Sequence, residues 1–183
     1  LLYTRFFEFF QERLYLVLKA IVAQKPDVTL MVVGKGRHGE EKSLLQASQE
    51  MGFADNLLMV GWTDPDQIPD YLAAANVAIY PLDDNLVNRA KCPAKLTEIL
   101  NAGCPVVADA VGQATEYIRA GETGLLCSPD KPDEMASKVV YLLENKGYAR
   151  TLGEAARRHL QSEFAWQSMA GQLDDFYKKC IEG

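Results

Sequence analysis

Short apolar runs alternate with helix-like segments along most of this chain, and this alternation constrains the fold more than any other feature. Each run is rich in Val, Ile, Leu or Met and ends at a Gly, a Pro or a polar loop. The runs lie at 28–33, 57–60, 77–80, 105–108 and 124–127. Strands that are apolar on both faces belong to parallel sheets covered by helices on two sides. The pattern therefore predicts an α/β domain with a Rossmann-like, doubly wound parallel sheet.

The segments between these runs carry helix signals. Apolar positions at helical spacing, with Gly or Pro near the ends, predict helices at 40–51, 67–75, 93–101 and 113–120. Gly52, Gly103 and Gly121 are predicted to end three of them. The chain after the last strand is predicted to form a helical C-terminal tail.

The ends of the predicted strands define where a ligand is expected. Sheets of this class bind ligands outside the carboxyl ends of their strands, where loops lead into helices. We therefore expect a site formed by the loops at 34–39, 61–66, 81–93 and 109–113.

The composition excludes several classes of protein. With 183 residues, 48% apolar and 24% charged, the chain suits one globular domain rather than a disordered or collagen-like protein. Its 25 acidic and 19 basic residues give a net charge of −6, which argues against a nucleic-acid partner.

The cysteines and the chain start carry further expectations. Four cysteines without CxxC spacing favour reduced thiols in a cytoplasmic protein over a zinc site or a disulfide framework. No membrane span or signal peptide is visible, so a soluble protein is expected. Because the first residue is Leu1 rather than Met, we expect the chain to be part of a longer protein.

The glycine-rich loop after the first run is a candidate anion site. Gly34 and Gly36 would let backbone amides approach a phosphate at the start of the next helix. Gly39 completes a G-x-G-x-x-G spacing, but the residues Arg37, His38 and Gly39 delay the helix that a dinucleotide fingerprint opens immediately. A plain strand-to-helix turn and a nicotinamide dinucleotide site both stay open.

The segment KCPAKLTEILNAGCPVVAD at 91–109 is more specific. Lys95 and Glu98 lie on one face of its predicted helix, and the leucines and isoleucine lie on the other. A carboxylate there could accept hydrogen bonds from a vicinal diol such as ribose, while Lys95 and first-turn amides could hold a diphosphate. The alternative is an exposed Lys–Glu pair.

This segment resembles the donor-binding helix of the group 1, or family four, retaining glycosyltransferases. The resemblance covers nearly the whole chain through LMVVGKG, VGWT, YLAAANVAIYP, VGQATEYI and GETGLLCSPDKPDEMA. It implies one half of a GT-B fold. Residues 1–183 would be the C-terminal domain that binds a nucleotide sugar, and the N-terminal acceptor domain would be absent.

The resemblance implies roles for the residues around this helix. Glu98 matches the second glutamate of a family pair, the one that holds the ribose hydroxyls. The first glutamate would fall at Ala90, which is a departure. The loop there instead carries Arg89 and Lys91, both candidates for donor binding.

By the same resemblance, Arg5 is similar to the family's diphosphate-binding arginine at the end of the first strand. Its usual lysine partner would be Gln11, a second departure. Lys91 or Lys95 could supply the missing charge. Arg5 and Lys95 are therefore the candidate catalytic residues, and a surface position at a chain end is the alternative for Arg5.

Three further residues are candidates for substrate binding. Trp62 lies on a loop that the family uses near the nucleotide base, and a capping aromatic is the alternative. Gly112 and Gln113 open the helix after the fourth predicted strand, where amides could face the transferred sugar, and a simple tight turn is equally compatible.

These observations predict a glycosyltransferase domain that binds a nucleoside diphosphate sugar for retaining transfer of a hexosyl unit to a hydroxyl. No cofactor or metal is expected. A catalytically degenerate nucleotide-sugar-binding module is the alternative, and the epimerases and phosphorylases of the same architecture fit less well. The expected partners are the donor and the missing acceptor domain. The expected location is cytoplasmic, with peripheral association at the inner membrane face through the absent half left open.

Overall fold

The computed structural model of the protein describes residues 2–5, 11–36 and 38–182, with side chains described for 12–36 and 38–181. The described residues form a sheet of six parallel strands: β1 (Leu2–Arg5), β2 (Leu30–Val33), β3 (Leu57–Gly61), β4 (Val77–Tyr80), β5 (Val106–Asp109) and β6 (Leu125–Cys127). The described helices are α1 (Gln11–Gln24), α2 (Glu40–Met51), α3 (Ile68–Ala74), α4 (Leu86–Ala90), α5 (Ala94–Asn101), α6 (Ala114–Tyr117), α7 (Pro132–Glu144), α8 (Lys146–Glu163) and α9 (Trp166–Glu182). Short 3₁₀ turns lie at Ala54–Asn56 and Pro65–Gln67.

The strand order is β3-β2-β1-β4-β5-β6, which confirms the predicted doubly wound sheet. The chain first builds outward from β1 through β2 to β3, and then returns to the other side of β1 with β4. The order therefore reverses between β1 and β4. Ligands of such sheets bind in the crevice at this reversal, outside the carboxyl ends of the strands.

Two layers of helices cover the sheet because its strands are apolar on both faces. One buried cluster joins Leu30 and Val32 of β2 to α1, α2 and α7. The other joins Met31 and Val33 of the same strand to α3, α5, α6 and α8. Successive side chains of a strand point to opposite faces, so β2 contributes to both clusters.

Two of the predicted helices agree closely with the structure. The helix predicted at 40–51 is α2, and Gly52 ends it at φ +79° with its N–H donating to the Ser48 carbonyl. The helix predicted at 93–101 is α5, which begins one residue later at Ala94. Gly52 directly follows α2 and Gly103 lies two residues beyond the end of α5, which is why the ends of both helices could be predicted.

Other predicted boundaries need correction. The apolar runs predicted five strands, and the sixth, β1, contains the polar Thr4 and Arg5. The polar loop predicted at 82–92 contains α4, where the Asn85 side chain accepts a hydrogen bond from the Asn88 N–H. The helix predicted at 113–120 ends early, at Tyr117. Gly121 instead forms a turn in which its N–H donates to the Gly124 carbonyl.

The C-terminal tail is helical, as predicted, and the side chains described for its last helix, α9, are almost all exposed. Large apolar side chains of α9, including Trp166, Leu173 and Ile181, face solvent. In the part of the chain that the structure describes, no helix has the length and apolar character needed to cross a bilayer.

Candidate functional site

A cavity of about 760 Å³ lies on the face of the sheet that α3, α5 and α8 cover. Its floor is formed by the ends of β2 and β3, one wall by the 3₁₀ turn and α3, and the other wall by α5. The described lining residues are Val33, Gly34, Lys35, Trp62, Thr63, Pro65, Ile68, Pro69, Leu72, Lys95, Glu98, Asn101, Ala102 and Arg157. Four of the predicted site residues, Gly34, Trp62, Lys95 and Glu98, are therefore brought together.

The α5 wall of the cavity is polar because of helical periodicity. Lys95, Glu98 and Asn101 are three residues apart and line the cavity, whereas Leu96 and Ile99 are buried against the sheet. An ammonium group and a carboxylate therefore border one cavity along a single helix face. The predicted division of this helix into a charged and a buried face is confirmed.

The opposite wall is apolar. Pro65, Ile68, Pro69 and Leu72 line it. Trp62 follows Gly61, a residue at φ +80°, and leaves 71% of its surface exposed beside the cavity. A cleft with an exposed aromatic ring, an apolar wall and a polar wall suits a ligand that has both a flat ring and hydroxyl groups.

The loop after β2 already binds anions of its own chain. The Gly36 N–H donates to the Glu41 carboxylate at 2.8 Å, and the His38 N–H donates to the Glu40 carboxylate at 2.7 Å. The hydrogen bond from His38 is the largest cause that lowers the pKa of Glu40. A phosphate would have to displace these carboxylates to reach the two amides. The roles of Gly34 and Gly36 in substrate binding stay predictions, and a plain strand-to-helix turn stays the alternative.

Arg89 and Lys91 lie apart from the described cavity lining, in and after α4. The Arg89 guanidinium makes two contacts to Asp84, with its Nε 2.5 Å from Oδ1 and its Nη2 2.8 Å from Oδ2. This pair lowers the pKa of Asp84 and raises that of Arg89. The Arg89 guanidinium is thus paired with a carboxylate of its own loop in this structure. The roles of Arg89 and Lys91 in donor binding stay predictions.

Gly112 and Gln113 pack beside the same loop. A Cβ at Gly112 would lie 2.7 Å from the Asn88 carbonyl oxygen and 2.8 Å from the Arg89 Cα, so this glycine allows the loop after β5 to contact α4. The buried Oε1 of Gln113 accepts no hydrogen bond from the described residues. The close approach of two backbones explains Gly112 without a ligand.

Arg5 and Gln11 are only partly described. The backbone of Arg5 ends β1, as the resemblance implied, and Gln11 begins α1. Their side chains lie outside the described residues. Because β1 lies between β2 and β4, the carboxyl end of β1 at Arg5 lies between the cavity and the segment that leads from β4 into α4.

Asn101 and Arg157 are among the lining residues that the sequence analysis did not predict. Asn101 continues the periodicity of Lys95 and Glu98, so the helix pattern could have indicated it. Arg157 lies on α8, in a different part of the sequence, and no local pattern relates it to α5. Within the described part of the chain, no group of three or more His, Cys, Asp or Glu side chains is placed to hold a metal ion.

Comparison with known proteins shows what this chain is similar to. A family model described as "Glycosyl transferases group 1" matches residues 10–159. A GDP-mannose-dependent alpha-(1-6)-phosphatidylinositol monomannoside mannosyltransferase of Mycobacterium tuberculosis is 27% identical over 170 residues, which are 92% of this chain and 44% of that protein.

Solved structures give the same result. The sucrose-phosphate synthase of Thermosynechococcus elongatus is similar with a TM-score of 0.75 and 28% identity, over 99% of this chain and 45% of that one. HepE of Anabaena, in complex with UDP and glucose, has the same fold with a TM-score of 0.79 and 22% identity, over 97% of this chain and 48% of that one. The chain thus spans about half the length of these proteins.

Proposed function

This chain belongs to the group 1 glycosyltransferase family, and we propose that residues 1–183 form the nucleotide-sugar-binding C-terminal half of a GT-B enzyme. The proposed reaction is retaining transfer of a hexosyl unit from a nucleoside diphosphate sugar to a hydroxyl acceptor. The acceptor would bind to a domain outside this chain. A cytoplasmic location stays a prediction.

The observation that carries the proposal is the meeting of Trp62, Lys95 and Glu98 around one cavity. The Trp62 ring is exposed and can stack on a nucleobase. The Glu98 carboxylate can accept two hydrogen bonds from the ribose hydroxyls. Lys95 lies one turn nearer the start of α5, where its ammonium group can contact a phosphate.

The proposed chemistry is stabilisation of a leaving group. The bond between the anomeric carbon and the diphosphate breaks, and a bond from that carbon to the acceptor oxygen forms on the same face of the sugar. The proton of the acceptor hydroxyl passes to the departing diphosphate. Negative charge grows on the diphosphate as its bond breaks, and fixed positive groups lower the energy of that state. We assign this role to Lys95 and, from the resemblance, to Arg5, without a metal ion.

Binding measurements test the proposal. The full-length protein is titrated with UDP, GDP, ADP and NAD, with and without EDTA. One nucleoside diphosphate should bind selectively, and the chelator should not change its affinity. Glu98→Ala should weaken binding by about 10- to 100-fold, because hydrogen bonds to a charged group contribute about 1.5–3 kcal/mol.

Glu144→Ala is the matched control, since Glu144 is exposed at the end of α7 on the other side of the sheet. It should leave the affinity unchanged. Selective binding of NAD, or equal affinity in Glu98→Ala and wild type, would contradict the proposed site.

A second candidate is a nucleotide-sugar-binding module without transferase activity. Ala90 and Gln11 favour it, because they stand where the resemblance implies a glutamate and a lysine. Under this alternative the wild-type full-length protein binds the donor but transfers no sugar, and Ala90→Glu creates activity. Transfer by the wild type would exclude the module.

A further inference from the structure

A buried ion pair lies where the strand order reverses. Arg13 is the third residue of α1, and Asp109 is the last residue of β5. The Arg13 Nη2 lies 2.6 Å from the Asp109 Oδ1, and the two side chains are 9% and 0% exposed. The residues are 96 positions apart in the chain, so the contact is purely tertiary.

The same two side chains hold the backbone of Leu82 from both sides. The Arg13 Nη1 donates to the Leu82 carbonyl at 2.8 Å. The Leu82 N–H donates to the Asp109 Oδ2 at 2.7 Å. Leu82 lies two residues after the end of β4, in the segment that leads into α4, so the pair fixes the point at which that segment leaves the sheet.

The pair thereby joins three segments at the carboxyl edge of adjacent strands. These are the first turn of α1, the exit from β4 that continues to Arg89 and Lys91, and the end of β5 that continues to Gly112. Free amides of a helix's first turn bind anions. A change in the distance between α1 and Leu82 would change the width of the crevice at the strand reversal.

Stability alone gives a poor reason for this arrangement. Burial raises the pKa of Asp109 to about 6, even though Arg13 and the Leu82 amide both favour its charged form. The buried Nε of Arg13 donates to no described residue. Burying an ion pair is often no more stabilising than apolar packing, so the benefit of the pair is better sought in geometry.

We propose that Arg13 and Asp109 are positioning residues that hold the first turn of α1 and the β4 exit at the distance required by the diphosphate of the donor. The proposal rests on the proposed function. The Arg13 guanidinium contacts Asp109 and Leu82, and its Nη1 also lies 3.9 Å from the Asp83 Oδ1, so it acts through the segments it holds rather than on substrate. The nucleoside, bound between Trp62 and Glu98, should not depend on the pair.

The test compares a nucleoside diphosphate with its nucleoside in the full-length protein. Affinities for UDP and uridine, and for GDP and guanosine, are measured for wild type, Arg13→Lys and Asp109→Asn. Arg13→Lys keeps the charge, but an ammonium group cannot donate to Asp109 and to the Leu82 carbonyl in the two-pronged geometry of a guanidinium. Asp109→Asn keeps an acceptor for the Leu82 N–H but removes the charge.

Each variant should weaken binding of the diphosphate by about tenfold, the equivalent of one well-placed hydrogen bond, and change nucleoside affinity less than twofold. This ratio separates positioning from general destabilisation, which lowers both affinities together. Arg13→Lys alone decides the matter if Asp109→Asn does not fold.

Lys138→Met is the matched control. Lys138 likewise pairs with a carboxylate, Glu134, at 2.6 Å and donates to a backbone carbonyl, that of Leu126, at 2.6 Å, but it joins α7 to β6. It should leave both affinities unchanged. If Arg13→Lys changes neither affinity, or lowers both to the same extent, the positioning role is overturned while the proposed function stands. A wild type that binds no nucleoside diphosphate would overturn the proposed function and this role with it.

Discussion

Gly153 offers a sharp test of the packing between α8 and the sheet. This glycine lies in the middle of α8, and a Cβ there would overlap the Gly103 carbonyl oxygen. It would also lie 3.0 Å from the Gly103 carbonyl carbon and 3.3 Å from the Pro105 nitrogen. All three neighbours are backbone atoms of the turn between α5 and β5, so no side-chain rotation can relieve the contact.

The expected effect of Gly153→Ala follows from two opposing terms. Alanine favours the helix over glycine by about 1 kcal/mol. Forcing a methyl group into filled space costs about 3 kcal/mol, the upper part of the usual range, because the obstacle is backbone. The free energy of unfolding should therefore fall by about 2 kcal/mol.

Urea unfolding followed by circular dichroism measures the change. Gly147→Ala is the control, since Gly147 lies in the same helix with no atom within 4 Å of the added Cβ. It should raise the free energy of unfolding by about 0.5 kcal/mol, less than the full propensity because Gly147 is near the helix start. If Gly153→Ala is as stable as Gly147→Ala, the close approach of α8 to this turn is wrong.

Two further predictions concern ionisable groups. Cys92 and Cys180 are exposed, whereas burial raises the pKa of Cys104 and Cys127 to about 12, so Ellman's reagent should titrate two thiols rapidly and the rest only after unfolding. Fast reaction of all four would contradict the buried positions. Burial raises the pKa of Asp109 from 3.8 to about 6. Between these two pH values the folded protein therefore binds a proton that the unfolded chain does not. Its free energy of unfolding should fall as the pH rises from 3.8 to about 6. This pH-dependent fall in the free energy of unfolding should be absent in Asp109→Asn. An equal pH dependence of that free energy in the two proteins would contradict the raised pKa of Asp109.

Elements with strong local signals could be predicted from the sequence. The buried strands are short apolar runs closed by turn residues, and α5 is bounded by Pro93 and a helix-ending glycine at 103. The charged face with Lys95 and Glu98 followed directly from helical spacing. For these segments local preference and the final packing agree.

Other features depend on contacts that no local pattern encodes. β1 is four residues long and half polar, and its pairing with β2 and β4 makes it a strand. Leu14, Leu18 and Ile21 had the spacing that indicates α1, but no prediction used it. The contact of Arg157 with the cavity and the pairing of Arg13 depend on segments far apart in the chain.

In the loop after β2, a dissolved anion competes with carboxylates of the chain itself. Glu40 and Glu41 are tethered to the amides they occupy, so their effective concentration there is on the order of millimolar or above. A dissolved phosphate at ordinary cellular concentration must compete with two carboxylates that are covalently attached to the same chain. Phosphate therefore binds to the Gly36 and His38 amides only by displacing Glu41 and Glu40, which lowers its apparent affinity for this loop.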